Sequence, residues 1–340
     1  MKKIQNIYHE NDHRWAVITR DPDRPSYMID TNECLVMSGG ESILTDPGGM
    51  EIFPAVFSAI STNYNPRDIK YIFSSHQDPD IISSLTLWLE VNPELKCYIS
   101  WLWSTFVPHF GGNDKTFIPV PDEGMKIKLG SIKLECIPAH YLHSAGNFHL
   151  YDQKAKILFC GDVGAALDLG NSGIYVKNFD EHIKSAKVFH QRWMGSNEAR
   201  LDWCQRVSEL EIDMLVPQHG SIYQGKDVKR FIDWFSELKV GLFTMGSDGD
   251  TLEKAEPVII EELVDLEPEN PNPEPEAPAE IPQSDAIDYN MSSDDSDLKA
   301  LMDRDLKKAE GNSPKEAGKK PARKSFWGAI KSFFQGKDNR

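Results

Sequence analysis

Four apolar runs in this chain each end in side chains that bind metals, and no other feature restricts its folding as much. "IKYIFSS" (69–75) runs into "HQDPD", which carries His76, Asp78 and Asp80. "SIKLECI" (131–137) runs into "PAHYLHSAG", with His140 and His143. "KILFCG" (156–161) is followed at once by Asp162, and "IDMLVP" (212–217) by Gln218 and His219. Runs of this length, rich in Ile, Leu, Val and Phe, read as β-strands. A strand delivers the residues after it to the edge of its sheet, so the pattern predicts a sheet-based fold with polar chemistry gathered at strand ends.

Further strands are predicted over 14–20, 33–38 and 41–45, and helices over 51–62, 81–91, 180–194, 196–210 and 226–240. Strands with helices between and after them predict sheets covered by helices, an α/β architecture.

Composition divides the 340 residues into three parts. Residues 1–245 alternate apolar runs with turn signals and read as one folded domain. Residues 246–314, including "LEPENPNPEPEAPAEIPQ", bury too little apolar surface to offset ordering entropy, which predicts a disordered, extended acidic linker. Residues 315–340 turn basic and aromatic, and Phe326, Trp327, Ile330, Phe333 and Phe334 fall on one helical face. That segment is too short to hold a helix alone in water. Its core, 319–335, reads either as a solubilising end or as a segment that folds on a signalling partner or an anionic membrane surface.

The formal charge of −16 is uneven: residues 246–305 carry −16 and residues 306–340 carry +7, leaving about −7 on the first 245. This balance argues against nucleic acid as a partner, because phosphate binding needs a basic surface. No apolar stretch approaches the ~20 residues that a bilayer span requires. The amino terminus lacks the apolar core of a secretory signal, and the cysteines Cys34, Cys97, Cys136, Cys160 and Cys204 form no CxxC pair. These features predict a cytoplasmic protein with reduced thiols, peripheral to a membrane only through its tail.

The first motif has two readings. Alternate residues on an extended segment point the same way, so His76 and Asp78 can face one centre while Asp80 reaches an adjacent one. Alternatively, Asp-Pro-Asp before a helix is a common capping sequence. The three other strand-end motifs favour the metal reading. Imidazole and carboxylate donors without a nearby cysteine suit iron, manganese or zinc, and a carboxylate such as Asp162 can bridge two ions.

The order strand–HxDxD, His, strand–GD, PxHG resembles the metallo-β-lactamase fold, and more narrowly its flavodiiron branch and the related oxygen-binding diiron proteins (ODP). The resemblance covers about residues 30–245, and "ILTDPG" (43–48) is similar to an aspartate–proline–glycine turn of that group. It implies an αββα sandwich of two mixed β-sheets flanked by helices. It further implies two non-haem iron ions: His76, Asp78 and His143 on one, Asp80 and His219 on the other, and Asp162 bridging them. His143 is preferred to His140 because "YLHSAG" resembles the family's Leu-His segment. The hydrolases of this fold carry HxHxDH and usually hold zinc, whereas the flavodiiron branch carries HxExDH and holds iron. Asp78 stands at the hydrolases' second histidine, and the extra carboxylate hardens the site toward iron. Two positions depart from the branch. Asp78 is one methylene shorter than the usual glutamate, and Ile81 stands where a histidine is common. The second metal is then one protein ligand short, with a position open to a gas.

Flavodiiron reductases also carry a flavodoxin-like module. None follows residue 245, so no FMN is expected and an electron-donor protein would act in trans. Three functions are compatible: a diiron protein that binds dioxygen as a sensor; an oxygen or nitric-oxide reductase fed by a separate flavin- or rubredoxin-type donor; or a dinuclear zinc hydrolase, against which Asp78 counts. Binding is preferred to turnover, because an acidic linker with an aromatic tail suits tethering. Around the ligands, His140 and His149 are expected in supporting or core roles. His109, after "WLWSTF", is a candidate to wall the site. Tyr223 reads as a hydrogen-bond donor to bound oxygen or as a packed core residue, and Cys160 as a buried thiol. His9, His13, His182 and His190 read as surface residues.

Overall fold

The computed structural model describes residues 2–19, 21, 28–112, 115–167 and 173–242. The predicted linker (246–314) and aromatic tail (315–340) lie outside the described residues. The first sheet has seven strands in chain order: β1 (Ile4–Glu10), β2 (His13–Ile18), β3 (Glu33–Ser38), β4 (Glu41–Thr45), β5 (Tyr71–Phe73), β6 (Lys96–Ser100) and β7 (Phe117–Val120). β1 to β4 pair antiparallel, and β4 to β7 pair parallel. The second sheet contains β8 (Lys126–Leu129), β9 (Ile132–Pro138), β10 (Phe148–Asp152), β11 (Ile157–Phe159), β12 (Met214–Val216) and β13 (Tyr223–Gln224), with only β11 and β12 parallel. The helices are α1 (Phe53–Ser61), α2 (Pro79–Ile82), α3 (Leu85–Val91), α4 (Phe179–Trp193), α5 (Asn197–Ser208) and α6 (Lys226–Glu237).

Side-chain alternation along the strands produces the layers. On β3, Cys34 and Val36 enter a core shared with Phe148 and Leu150 of β10, between the two sheets. Leu35, one residue out of phase, joins Phe53, Phe57 and Trp88 under α1 to α3. Across the second sheet, Tyr151 and Leu158 meet Trp203, Phe231 and Phe235 of α5 and α6. The result is the expected αββα sandwich of two mixed sheets. Because both faces of each sheet are covered, the central strands read as unbroken apolar runs.

The helix predicted over 81–91 is two helices. Gly48 donates its N–H to the Ile81 carbonyl (3.1 Å), the acceptor a continuous helix would need at that point, and the Gly48 carbonyl accepts from Ser84 N–H (3.2 Å). The Asp46-Pro47-Gly48 turn is thus inserted into the hydrogen-bond ladder and starts α3 afresh. Three histidines predicted at the surface are buried. His13 Nε2 lies 2.7 Å from Asp152 Oδ2, which also accepts from Trp15 Nε1 (2.7 Å), so a pair from β2 and an acid from β10 tie the two sheets together. His182 and His190 occupy the inner face of α4 with Phe179 and Phe189. His9 is exposed as expected.

Candidate metal centre

Every segment carrying a candidate ligand leaves the carboxyl end of a strand. β5 leads to His76, Asp78 and Asp80; β9 to His143; β11 to Asp162; β12 to His219. The first three come from one sheet and the last three from the other, so the centre lies across the end of the sandwich.

The side chains form two groups that share one carboxylate. His76, Asp78 and His143 place a ligand atom each within 4.8 Å of one another. Asp78 Oδ2 is 2.8 Å from His143 Nε2 and 3.6 Å from His76 Nε2. Asp162 turns Oδ2 to this triad, 3.8 Å from His76 Nε2 and 3.7 Å from His143 Nε2. Its other oxygen, Oδ1, lies 3.4 Å from His219 Nε2, which is itself 3.4 Å from Asp80 Oδ2. Asp78 occupies the N-cap position of α2 but makes no side-chain cap bond, so the capping reading of that motif does not describe it.

Partners behind the ligands orient the rings. Asp46, at the end of β4, accepts from Ser75 N–H at Oδ1 and from Ser75 Oγ–H at Oδ2, both at 2.7 Å. The Ser75 proton being committed, its oxygen accepts from His76 Nδ1–H (2.9 Å) and turns Nε2 toward the centre. His219 Nδ1–H donates to the backbone carbonyl of Asp30 (2.8 Å), with the same result for its Nε2. Asn32 fixes the loop under His219, donating from Nδ2 to the carbonyls of Pro217 (3.0 Å) and Gly220 (2.8 Å). Close approach of the two sheets requires Gly161: its φ is +48°, and a Cβ there would come within 3.1 Å of Ser75 Oγ.

Electrostatics follow from burial set against opposite charge. Burial depresses the His76 imidazole, but Asp78, Asp162 and Asp46 outweigh it and lift it to about 9. His143 and His219 are likewise depressed by burial and raised on balance by Asp78, Asp162 and Asp80. Burial would raise the Asp78 and Asp162 carboxyls, but the surrounding imidazoles pull both well below the usual carboxylate range. Burial pushes Asp46 up to about 7, against the opposing influence of His76 and Ser75. His76 Nε2 and Asp162 Oδ1 are buried with no hydrogen-bond partner. Buried polar atoms are rarely left so. A hard cation among nitrogen and oxygen donors would satisfy both, so the residues fit the group that the sequence implies.

The other candidates stand apart from the two groups. His140 Nε2 faces the Asp122 carbonyl (2.8 Å). His149 is fully buried, with Nδ1 accepting from Trp203 Nε1 (3.0 Å). His109 is exposed. Tyr223 is buried, and its hydroxyl donates to the Gly164 carbonyl (3.0 Å), which makes it a core residue and not a donor into the centre. Asp30, Asn32, Ser75, Gln77 and Ser144 support the site without having been singled out by the sequence, and His190, expected at the surface, supports it as well. Only His190 carried a signal, its i, i+4 spacing from Ala186 on the apolar face of α4.

Comparison with known proteins identifies the family and the fold. Residues 29–220 match the ODP family beta lactamase. The solved structure of the apo state of the chemotaxis sensor ODP from T. denticola is 38% identical, with a TM-score of 0.64, covering 71% of this chain and 96% of that one. A peroxy diiron species of chemotaxis sensor ODP is 37% identical, with a TM-score of 0.64, over 70% of this chain and 96% of that one. A flavo di-iron protein variant from Thermotoga maritima is 24% identical, with a TM-score of 0.61, covering 69% of this chain and 61% of that one; it shares the fold. Among curated relatives, the chain spans 50% of an uncharacterised protein of Methanocaldococcus jannaschii and 43% of a putative diflavin flavoprotein of Nostoc sp..

Proposed function

Because this chain belongs to the ODP family of β-lactamase-fold proteins, we propose that it is a non-haem diiron protein that binds dioxygen and serves as an oxygen sensor. In this reading His76, Asp78 and His143 hold one iron, Asp80 and His219 hold the other, and Asp162 serves both. One observation carries it: the two oxygens of Asp162 face different ligand groups, His76 and His143 on one side and His219 on the other. The ODP relatives, one a peroxy diiron species and both chemotaxis sensors, support the choice of iron, dioxygen and signalling.

Two ferrous ions would supply electrons to dioxygen; the protein's own residues decide access and orientation. Ser75 and the Asp30 carbonyl hold the imidazoles of His76 and His219 with Nε2 toward the centre. Ile81, which follows Asp80, is fully buried in the apolar core under α1 to α3 and supplies no ligand atom. The two chemotaxis-sensor relatives, each covered over 96% of its length, favour a binding protein over a reductase.

The deciding measurement is a stopped-flow titration of the reduced, iron-loaded protein with dioxygen. One optical change that saturates at a fixed stoichiometry, with continued oxygen uptake only after an external reductase is added, is the expected result. Native protein holding zinc and hydrolysing a thioester or phosphodiester would replace this reading with the hydrolase.

A further inference from the structure

Asp78 divides its two oxygens. While Oδ2 faces His143, Oδ1 accepts from Gln77 Nε2 (2.9 Å). Gln77 Oε1 accepts in turn from Ser144 Oγ–H (2.7 Å), and Ser144 Oγ accepts from Trp103 Nε1–H (3.1 Å). All three donors point the same way, toward the carboxylate. Hydrogen bonds aligned in this manner polarise one another, and the last is strengthened by the charge it meets.

The line crosses three separate segments. Gln77 follows β5, Ser144 neighbours His143 in the loop after β9, and Trp103 follows β6. The contact between the last two is closely fitted: a Cβ on Gly146 would stand 2.9 Å from Trp103 Nε1 and 2.7 Å from Ser100 Oγ. The loop that carries Ser144 holds two non-glycine residues in the left-handed region, Tyr141 (φ +62°) and His143 (φ +73°), so its shape is imposed by its contacts. At the outer end, the Trp103 ring meets Phe106 edge-on, with centroids 5.7 Å apart. Phe106 is 59% exposed and Trp101 48%.

We propose that Gln77, Ser144 and Trp103 form a positioning relay that commits one oxygen of Asp78 to the protein and the other to the metal, and that carries changes at Asp78 out to the exposed aromatic segment 101–106. The inference rests on the reading of Asp78 as a metal ligand. Without Gln77, Asp78 is free to turn and offer both oxygens to one ion. With it, the carboxylate is held to one-oxygen binding, and any shift of Asp78 on metal loading is felt at an indole whose neighbour is a surface ring.

The test uses the full-length protein with Zn(II) as a diamagnetic probe and 15N-labelled tryptophan, the Trp103 indole signal being assigned by its loss in Trp103→Phe. Zn(II) binding should shift that signal in the unmodified protein and in Ser144→Thr, which retains the hydroxyl. Ser144→Ala and Gln77→Leu should lose the shift and bind Zn(II) roughly 10- to 100-fold more weakly, the effect typical of a lost ligand-orienting partner. Gly146→Ala, whose Cβ would press on both the Trp103 indole and Ser100, should abolish the shift by displacing the indole. Unchanged Zn(II) affinity in Gln77→Leu and Ser144→Ala overturns the positioning role, and an unmoved Trp103 signal in the unmodified protein overturns the outward coupling. Asp78→Ala separates the two levels of argument. If that variant binds as much Zn(II) as the unmodified protein, the ligand assignment fails and takes the relay with it. If it loses an ion while Gln77→Leu keeps full affinity, the relay alone fails.

Discussion

His190 and Tyr223 hold the same residue from opposite sides. Nε2 of His190 accepts the Gly164 N–H at 2.9 Å, and the Tyr223 hydroxyl donates to the Gly164 carbonyl at 3.0 Å. Gly164 is two residues past Asp162, so this clamp sets the direction in which that carboxylate leaves β11. Tyr223→Phe leaves a buried carbonyl without its donor, at a cost of about 1–3 kcal/mol. Chemical denaturation should show that loss, and a variant as stable as the parent would remove the clamp from the account.

The other jaw of the clamp makes stability depend on pH. Burial pushes His190 down from its ordinary 6.5 to about 4. Between those values the unfolded chain takes up a proton that the folded chain refuses, so stability rises with pH across the window and falls as pH drops from 6.5 toward 4. Denaturant melts across that range should show a shallower decline for His190→Gln than for the parent. Parallel declines would place the acid sensitivity elsewhere.

Asp162→Ala removes the carboxylate that faces both ligand groups. Metal analysis should find about one ion or fewer in place of two, with the circular dichroism of the folded domain retained. A variant that still holds two ions at full occupancy would dismiss the shared role of Asp162.

Ser75 links Asp46 to His76, so Ser75→Ala should release the imidazole from its fixed tautomer. Metal affinity should fall by roughly 10- to 100-fold, and Asp46→Asn should weaken it in the same direction. Titration with Fe(II) under anaerobic conditions measures both, and unaltered affinity in each would make the link ornamental.

The basic aromatic tail gives a prediction that stands on sequence alone. Ending the chain near residue 312 should leave metal content intact and abolish association with anionic vesicles or with a co-purifying partner. Identical partitioning of long and short forms would discard tail docking.

The ligand candidates were legible in the sequence because each follows an apolar run, and strand ends at one edge of a sandwich must converge. β3 and β4 were read with their observed bounds for the same reason. What stayed hidden depends on contacts between distant segments. Asn32 meets Pro217 across 185 positions, and His13 meets Asp152 across 139, with no local pattern to announce either. The break between α2 and α3 was invisible because the apolar spacing runs through it, whereas the disruption comes from the backbone of Gly48. The edge strand β1, largely open to solvent, lacks the continuous apolar run that revealed the covered strands.

The six ligand candidates are drawn equally from the two sheets, His76, Asp78 and Asp80 from one and His143, Asp162 and His219 from the other. An ion seated among them therefore grips both halves of the sandwich, and free energy of binding becomes free energy of folding. Resistance to proteolysis would then rise and fall with the supply of the ion, and cellular turnover of the chain with it. Starved of metal, a cell would hold less of this protein, so its abundance would itself be a slow record of metal supply.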